Sequence, residues 1–375
     1  MTAASKHDRL HIGVIGPVPP PNGGMAMQTR QLVRLLRESG EQVTLLPTNP
    51  PYRPAWAGRV PGLRALVRLL PYSVAVWRLA GRVDVIHLMA NSGWSWHLFA
   101  APVLWLARLR GTPVLVNYRG GEASTFLSRS ARWVNLSLRH AQALVVPSGY
   151  LRAVFADYGY NCDVVPNIID TALFSPASAA EAPGKVFTFA ITRNLEKIYD
   201  VGTALQAFAR VQAAAATGTP APALRLVVAG SGPEEAALRA QAQSLGITNM
   251  VHFAGRLDRD QVAALYRKAD VLLNPTTVDN MPNSVIEALA SGVPVISTDV
   301  GGVPYIVTHE KTALLVPAQN ADAMAAAMEL LMADANLCSR LAHAGLASVA
   351  DYTWSRVHGQ WLAQYRQALG EPVCA

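Results

Sequence analysis

The chain has 375 residues, of which 51% are hydrophobic and 15% are charged, and its formal net charge is +7. That length predicts two domains, and the apolar content excludes a disordered chain and favours a soluble α/β protein. Three widely separated cysteines, Cys162, Cys338 and Cys374, disfavour a disulfide framework or a cysteine metal site and indicate a reducing compartment.

The N-terminal residues contain no apolar segment ahead of the first strand pattern, so we expect no signal peptide. The longest candidate membrane run, LFAAPVLWLA at 98–107, is shorter than the roughly 20 apolar residues that a spanning helix needs. We interpret this run as a buried helix. The sequence therefore predicts a cytoplasmic protein.

Positive charge is concentrated in the first half of the chain. Residues 1–175 contain 18 Lys and Arg against 8 Asp and Glu, a net charge of +10, whereas the remainder contains 14 against 17, a net charge of −3. Much of the excess lies at 52–82, where arginines are interleaved with tryptophan and tyrosine. This pattern suits peripheral contact with an anionic membrane, at the inner face of the cytoplasmic membrane, and it equally suits a solvated basic helix face. Nucleic-acid binding is disfavoured because no nucleic-acid motif accompanies the charge.

Strand and helix patterns alternate along the chain, which predicts parallel sheets with crossover helices. In the first half, the strand LHIGVIG leads through the loop PVPPPNGG into a helix that ends at Gly40. The further strand patterns of this half are QVTLLPT, VDVIHLM, TPVLVNY and ALVVPS.

The alternation restarts after a linker rich in Pro, Ala and Ser at 175–185. The second half contains the strand patterns VFTFAIT, LRLVVAG, MVHFAG, DVLLNP, PVIST and ALLVP, separated by helices. We therefore predict two Rossmann-like α/β domains, residues 1–175 and 176–352, followed by a terminal segment 353–375. Ligands of such sheets bind beyond the carboxyl ends of the strands, so the strand-end loops and the cleft between two facing domains should carry the chemistry.

Two strand-end loops contain the residues expected at a phosphate group. Gly23 and Gly24 precede the first helix, where the backbone can approach a ligand and the helix N-terminus favours an anion. Arg193 and Lys197 follow the first strand of the second domain, and paired cations suit a diphosphate. The alternatives are a plain loop at the glycines and surface cations, with Lys197 paired to Glu196.

The stretch TTVDNMPNSVIEALASGVPVIST at 276–298 places two acids after a buried strand. Ser284 and Glu287 match a helix capping box, which would give Glu287 a structural role. Alternatively, Asn283 and Ser284 offer backbone N–H groups to a phosphate, while Glu287 accepts two ribose hydroxyls. Asp279 lies earlier on the loop and could hold another hydroxylated group.

Two further loops are interpreted as structural. AGSGPEE at 229–235 is typical of a tight turn from a strand into a helix. LDRD at 257–260 directly precedes a helix pattern, so we expect Asp258 or Asp260 to cap that helix rather than to bind a metal ion.

Together these loops resemble the retaining glycosyltransferases of family 4, of the "glycosyl transferases group 1" type, which have the GT-B fold. The most specific part is VLLNPTTVDNMPNSVIEALASGVPVISTDVGGVP at 271–304, which is similar to the family's pair of acids and the glycine-rich run that follows them. NGG near the N-terminus, VVPNIIDTALF, TRNLEKIYDVGTALQAF and DYTWSRV are supporting matches. The resemblance covers nearly the whole chain and implies a terminal helix that packs back on the first domain.

The resemblance also implies roles for individual residues. Glu287 would bind the ribose of the donor, and Asp279 would contact the donor sugar. Arg193 and Lys197 would hold the diphosphate, with Gly24 against it from the other domain. The predicted donor-binding residues are Gly23, Gly24, Arg193, Lys197, Arg256, Asn283, Ser284 and Glu287, and the predicted catalytic residues are Asp279, Glu287, Arg193 and Lys197.

The sequence departs from the family pattern at four places. NMP, with Pro282, replaces a Gly-rich turn, and Lys197 follows Arg193 by four residues, one fewer than the common spacing. Asp279 stands where Glu is usual, and Arg119 stands where the family often has His before two glycines. We interpret Arg119 and the nearby Glu122 as acceptor-side residues. The implied reaction is transfer of a sugar from a UDP- or GDP-sugar to a hydroxyl of a glycan or polyprenyl-linked acceptor, in bacterial surface polysaccharide or exopolysaccharide assembly. The anomeric configuration would be retained by front-face transfer, with no metal ion and no other cofactor.

Four other classes of function remain open or are disfavoured. A non-catalytic partner subunit that binds a nucleotide sugar is an alternative, and so is a nucleotide-sugar epimerase, for which His87, His97 and His140 are candidate acid–base groups. A phosphorylase that uses pyridoxal phosphate lacks an evident Schiff-base lysine. A NAD oxidoreductase is disfavoured because no G-x-G-x-x-G is followed by an acid about 20 residues later.

Overall fold

A computed structural model describes residues 9–20, 23–51, 63–177, 186–217 and 223–371. The chain forms two compact units. The N-terminal unit comprises Met1–Ile168 with Trp354–Ala375, and the C-terminal unit comprises Ile169–Thr353. Most of the predicted linker and the first part of the predicted basic segment, residues 52–62, lie outside the described residues.

The N-terminal unit is built on a parallel sheet of six strands in the order β2-β1-β3-β4-β5-β6. The strands are β1 (His11–Gly16), β2 (Gln42–Pro47), β3 (Val85–Ala90), β4 (Val114–Tyr118), β5 (Ala143–Val146) and β6 (Asp163–Val164). The sequence predicts the first five because buried parallel strands read as continuous apolar runs. The two-residue β6 is too short to produce such a run and was not predicted.

Helices cover both faces of this sheet. They are α1 (Gly24–Glu38), α2 (Leu63–Ala80), α3 (Ala101–Arg110), α4 (Ala123–Leu138), α5 (Gly149–Ala156) and α12 (Trp354–Ala368). The helices α2 to α5 bury their inner faces in one core, and α1 and α12 share the other. Trp361 and Tyr365 of α12 are fully buried there, so the end of the chain completes the N-terminal unit.

The interpretation of residues 98–107 as a buried helix is wrong in part. A π-helical turn at Trp96–Ala100 leads into α3, whose Val103, Leu104 and Ala107 face the core. Trp105, however, is 41% exposed. The reason is that α3 lies on one side of a sheet, so only one of its faces can be buried.

The C-terminal unit contains a second parallel sheet of six strands, in the order β12-β11-β10-β7-β8-β9. The strands are β7 (Val186–Thr192), β8 (Ala223–Ala229), β9 (Val251–Gly255), β10 (Val271–Asn274), β11 (Val295–Thr298) and β12 (Leu314–Val316). The helices are α6 (Val201–Thr217), α7 (Glu235–Ser244), α8 (Arg259–Lys268), α9 (Asn283–Ala290), α10 (Ala321–Ala333) and α11 (Ala335–Ser348). The predicted α/β class, with two Rossmann-like units, is confirmed.

The order of the strands locates the point at which the C-terminal sheet can bind a ligand. From β7 the chain proceeds to β8 and β9 on one side, and from β10 it proceeds to β11 and β12 on the other side. Neighbouring strands that lead in opposite directions leave a crevice at their carboxyl ends. The switch point of this unit therefore lies between the ends of β7 and β10.

Candidate functional site

Two of the predicted site residues meet at the switch point between β7 and β10. Arg193 directly follows β7, and Asp279 lies on the loop after β10. Their side chains form an ion pair and are only 12% and 13% exposed. The guanidinium of Arg193 also lies 4.4 Å from the ring centroid of Tyr199, while its Nε atom has no acceptor among the described residues. Part of the guanidinium is thus available to donate hydrogen bonds to a ligand.

Hydrogen bonds fix the Asp279 loop against neighbouring strand ends. The amide of Thr277 donates to the carbonyl oxygen of Ile198 at 2.8 Å, which ties this loop to the 3₁₀ turn at Lys197–Tyr199. The amide of Gly302 donates to the carbonyl oxygen of Asp279 at 2.8 Å. A Cβ atom at Gly302 would overlap the carbonyl oxygen of Asn280, so only glycine allows this close approach.

The loop between β8 and α7 supports Arg193 from the other side. The amide of Leu195 donates to the carbonyl oxygen of Ser231 at 3.1 Å, and the amide of Glu234 donates to that of Leu195 at 3.0 Å. A Cβ atom at Gly232 would overlap the carbonyl oxygen of Leu195. The stretch AGSGPEE is therefore a structural turn, as interpreted from the sequence, and its glycine lets it pack against the backbone beside Arg193.

The alternative interpretation of Ser284 and Glu287 as a helix capping box is wrong. The helix α9 begins at Asn283, and the residue at its N-cap position is Pro282, whose side chain makes no capping hydrogen bond. Ser284 is consequently inside the first turn rather than before it. Its Oγ atom is buried and has no partner among the described residues. The start of α9 thus has an uncapped N-terminus and an unused hydroxyl, both of which favour an anion.

Glu287 lies one turn further along α9 and is half-buried. The charges of Arg259 and Arg193 and the hydroxyl of Tyr266 act on its carboxyl. Burial raises the pKa of Glu287 to about 7, although both arginines and the tyrosine oppose that shift. Near neutral pH this carboxyl therefore changes between a neutral and an ionised form.

Two residues around Glu287 were missed by the sequence analysis. Tyr266 is fully buried, and its hydroxyl lies 2.5 Å from Thr192 Oγ1 and donates to the carbonyl oxygen of Ser284 at 3.3 Å. The guanidinium of Arg259 stacks on Phe174, and its Cζ atom lies 5.5 Å from the centroid of that ring. Both belong to α8 at a spacing of seven residues, two helical turns, which places them on one face. This spacing could have indicated from the sequence that Arg259 and Tyr266 lie on the same side of α8.

The interpretation of LDRD as a helix start agrees with the geometry of α8. Asp258 is the N-cap residue, its carboxylate accepts a hydrogen bond from the amide of Gln261 at 2.8 Å, and the Gln261 side chain completes a capping box. Within the described part of the chain, no group of three or more His, Cys, Asp or Glu side chains could hold a metal ion.

Other predicted donor-site residues lie near strand or helix ends. Lys197 is exposed at the start of its 3₁₀ turn, and Arg256 is exposed directly after β9. Asn283 is the first residue of α9. In the N-terminal unit, Gly23 is the N-cap residue of α1 and Gly24 is its first residue, with no acidic side chain in the first turn. This second uncapped helix start is suited to an anion as well.

Arg119 follows β4 in the N-terminal unit and is held by two asparagines. Its Nε atom donates to Asn117 Oδ1 at 2.8 Å, and its Nη1 atom donates to Asn167 Oδ1. Burial lowers the pKa of Arg119 to about 10, so its side chain remains charged at neutral pH. Glu122, the other predicted acceptor-side residue, is exposed at the N-cap position of α4.

A chain of buried polar groups connects Arg119 to the terminal helix. Asn117 Nδ2 lies 2.9 Å from His87 Nε2, and His87 Nδ1 lies 2.8 Å from the hydroxyl of Tyr365 on α12. Burial, and secondarily the charge of Arg119, lowers the pKa of His87 to about 3, which keeps the ring neutral. Because Asn117 donates to Nε2, the His87 proton is on Nδ1 and is donated to Tyr365. Tyr365 thereby fixes His87, which in turn orients the Asn117 amide that holds Arg119.

Two family models match this chain. The model described as "Glycosyl transferases group 1" matches residues 177–347, and the model described as "Glycosyltransferase Family 4" matches residues 22–173. The chain belongs to the family-4 glycosyltransferases. The recognition of this family from the sequence is confirmed.

Relatives of this family-4 glycosyltransferase include two curated proteins. A GDP-mannose-dependent alpha-(1-6)-phosphatidylinositol monomannoside mannosyltransferase of Mycobacterium tuberculosis is 28% identical over 91% of this chain and 94% of the relative. A D-inositol 3-phosphate glycosyltransferase of Segniliparus rotundus is 28% identical over 60% of this chain and 51% of the relative. The matched region thus spans about half the length of the second relative.

A solved structure agrees with the predicted GT-B fold. The sucrose-phosphate synthase of Thermosynechococcus elongatus superposes with a TM-score of 0.76 at 22% identity, over 96% of this chain and 100% of the other. The GT-B fold that the sequence motifs implied is confirmed.

Proposed function

We propose that this chain transfers a sugar from a nucleoside-diphosphate sugar to a hydroxyl group of a glycan or lipid-linked acceptor. The observation that carries the proposal is the group of Arg193, Asp279, Ser284 and Glu287 at the switch point of the C-terminal sheet. Arg193 Nε and Ser284 Oγ are buried polar atoms without partners in the described structure, and Glu287 is a half-buried acid with a raised pKa. Buried polar atoms of this kind are normally satisfied, so a polar ligand is the natural partner.

The proposed roles follow from the chemistry of each group. Glu287 accepts hydrogen bonds from ribose hydroxyls, and Asp279 holds a hydroxyl of the donor sugar. Arg193, aided by Lys197, holds the diphosphate, which also meets the uncapped N-terminus of α9. When the sugar leaves, negative charge grows on the diphosphate, and these cations and backbone N–H groups stabilise that charge without a metal ion.

Front-face transfer with retention of configuration is the proposed route. A retaining reaction with a covalent intermediate needs a carboxylate nucleophile. Asp279 is the acid nearest to the expected sugar position, but its ion pair with Arg193 reduces its nucleophilicity and directs it to a positioning role. In the front-face route the leaving phosphate itself assists removal of the acceptor proton.

The first test is a thermal-shift panel of UDP, GDP and ADP, each with and without chelator. A nucleotide at 100 times its dissociation constant should stabilise the protein by about 2.7 kcal/mol, which corresponds to a shift of roughly 5–11 °C in the melting temperature for a domain near 200 residues. We expect a shift with one of the three, unchanged by chelator. Loss of the shift in chelator would contradict metal-independent binding.

The same measurement with the corresponding nucleotide sugar separates the transferase from a non-catalytic nucleotide-sugar-binding subunit. A transferase consumes the stabilising nucleotide sugar when acceptor is added, whereas a binding subunit does not. Stabilisation with neither transfer nor hydrolysis, across glycan and polyprenyl-linked acceptors, would favour the subunit. An epimerase is less consistent with the geometry, because His87 is neutral, buried and committed to Tyr365.

Glu287 should make both stability and donor binding depend on pH. Its pKa in the folded protein, about 7, exceeds the ordinary value of 4.5. The folded state therefore binds the proton more tightly than the unfolded state. The resulting contribution of Glu287 to the free energy of unfolding is fully present below about pH 4.5 and is lost as the pH rises through 7. Donor binding has the opposite dependence, because the ionised carboxylate is the better acceptor for ribose hydroxyls. We expect nucleotide-sugar affinity to rise between pH 6 and pH 8.

Calorimetric titration with the intact nucleotide sugar measures this dependence, since its diphosphate does not titrate in that range. Glu287→Gln should bind more weakly at pH 8 and lose the rise in affinity with pH. Asp270→Asn is a matched control, because burial also raises the pKa of Asp270, which instead accepts a hydrogen bond from the Thr188 amide at 2.7 Å. A pH dependence that survives in Glu287→Gln would assign it to another group.

The acceptor class is inferred from the relatives and from the charge of the N-terminal unit. The mycobacterial relative acts on a phosphatidylinositol monomannoside, by its name. We propose a polyprenyl- or lipid-linked glycan acceptor at the inner face of the cytoplasmic membrane, in assembly of a bacterial surface polysaccharide. Within the described residues no helix is long and apolar enough to cross a bilayer. Contact with lipid would therefore be peripheral through the described elements.

A further inference from the structure

Three neighbouring helices of the N-terminal unit carry large apolar side chains on their outward faces. The helix α3 packs against both α2 and α4, and all three bury their opposite faces in the same core. The exposed apolar side chains are Leu70, Val74 and Trp77 on α2, Trp105 and Leu109 on α3, and Trp133 and Leu136 on α4. We call this surface the tryptophan face. Leu70, Val74 and Trp77 follow the i, i+4, i+7 spacing of a single helix face.

Arginine side chains connect the three helices across the tryptophan face. The guanidinium of Arg110 on α3 lies 4.8 Å from the ring centroid of Trp77 on α2. The guanidinium of Arg139, at the end of α4, lies 5.9 Å from the ring centroid of Trp105 on α3. The apolar and basic groups therefore form one continuous surface rather than isolated exposed residues.

The charge of this region is predominantly positive. Residues 63–142 contain ten arginines, no lysine and two acids, Asp84 and Glu122. Asp84 accepts a hydrogen bond from the amide of His11 at 2.8 Å. The exposed arginines around the tryptophan face are Arg78, Arg108, Arg110, Arg129, Arg132 and Arg139, and no ion pair joins them to a carboxylate in the part of the chain that the structure describes.

We propose that the tryptophan face binds the surface of an anionic phospholipid bilayer. Tryptophan and leucine enter the boundary between headgroups and acyl chains, while arginine contacts the phosphate groups. A protein partner would need acidic groups over the whole face, whereas an anionic bilayer supplies them at every position. The proposed membrane-binding surface thus includes α3 and α4, with Trp105 and Trp133, as well as part of the basic segment at 52–82. The proposal does not depend on the transfer reaction.

Flotation of the full-length protein with vesicles tests the proposal. We expect the protein to float with vesicles that contain phosphatidylglycerol and phosphatidylcholine at low salt, and to remain unbound with phosphatidylcholine alone. Leu109→Ser with Trp133→Ser removes two apolar groups that are 72% and 68% exposed, so the core is unaffected. Arg129→Glu with Arg132→Glu reverses two charges. Each double variant should lower the bound fraction at least about tenfold.

A matched control changes the same kinds of residue in the C-terminal unit. Leu330→Ser with Leu346→Ser, and separately Arg340→Glu, alter exposed side chains of α10 and α11 and should leave flotation unchanged. Equal loss of binding in these controls would overturn the assignment of the face. Failure of the unaltered protein to float at low salt would overturn it too. Gel filtration adds a third outcome: a dimer that Leu109→Ser with Trp133→Ser dissociates, without flotation, would identify a second copy of the chain as the occupant.

Discussion

Replacement of Arg193 by Ala should reduce sugar transfer about 10²- to 10³-fold, the effect typical of removing one preorganised donor to developing charge. Arg193 is the buried cation at the switch point and has a guanidinium nitrogen available to a ligand. Arg193→Lys should recover little of the activity, because an ammonium cannot pair with Asp279 and fork to a diphosphate at once. Initial rates with saturating acceptor measure the loss.

The Arg193→Ala variant also leaves Asp279 as a buried carboxylate without its partner. We expect the free energy of unfolding to fall by about 1–3 kcal/mol for that reason. The double variant Arg193→Ala with Asp279→Asn removes the unpaired charge, so it should recover stability without recovering transfer. This separates a folding defect from the loss of a catalytic group.

Arg210→Ala is the matched control for Arg193→Ala. Arg210 pairs with Asp322 at 2.8 Å in the same unit, but these side chains are 46% and 83% exposed. An exposed pair contributes little to stability, and Arg210 lies on α6, away from the strand ends. Transfer should be unchanged. Near-normal transfer in Arg193→Ala would refute the proposed role of Arg193.

The architecture was predictable because parallel strands buried on both faces produce unbroken apolar runs. VFTFAIT and DVLLNP are of this kind, and they became β7 and β10. That these two strands are neighbours does not follow from either run, because strand order depends on packing of the helices between them. The sequence could therefore name Arg193 and Asp279 separately, as diphosphate and sugar residues, but could not predict that they form an ion pair.

Local rules failed where tertiary contacts replace them. Ser284 and Glu287 have the spacing of a capping box, yet the helix begins at Asn283 and the carboxyl of Glu287 is instead under the electrostatic influence of Tyr266 and two arginines. Burial by residues distant in sequence created the raised pKa of Glu287, and no local pattern encodes such burial. The roles of Lys197 and Arg256, which are exposed, remain predictions.

Replacement of Arg119 by Ala should reduce transfer about 100-fold while the thermal shift produced by nucleotide is retained, because the proposed donor site is in the C-terminal unit. A displacement of about 1 Å in a positioning group can already reduce the rate by about that factor, and loss of the whole side chain is a larger change. Arg37→Ala is the matched control: Arg37 donates to the carbonyl oxygen of Val43 at 2.9 Å in the same unit, on α1. Equal loss of transfer in both variants would point to a general folding defect.

The polar chain to the terminal helix predicts a smaller effect of the same kind. Tyr365→Phe keeps the ring, which stacks on Trp361, but removes the hydroxyl that receives the proton of His87. The proton of His87 can then move to Nε2, where it would oppose the Nδ2 donor of Asn117. The Asn117 amide would turn to accept this proton, and its Oδ1 would no longer accept from Arg119. We expect transfer to fall several-fold, through a higher acceptor KM. We expect this loss to disappear in an Arg119→Ala background, because the effects of substitutions within one hydrogen-bond network are not additive. If Tyr365→Phe lowers transfer by the same factor in both backgrounds, α12 acts on the reaction by a route that does not pass through Arg119.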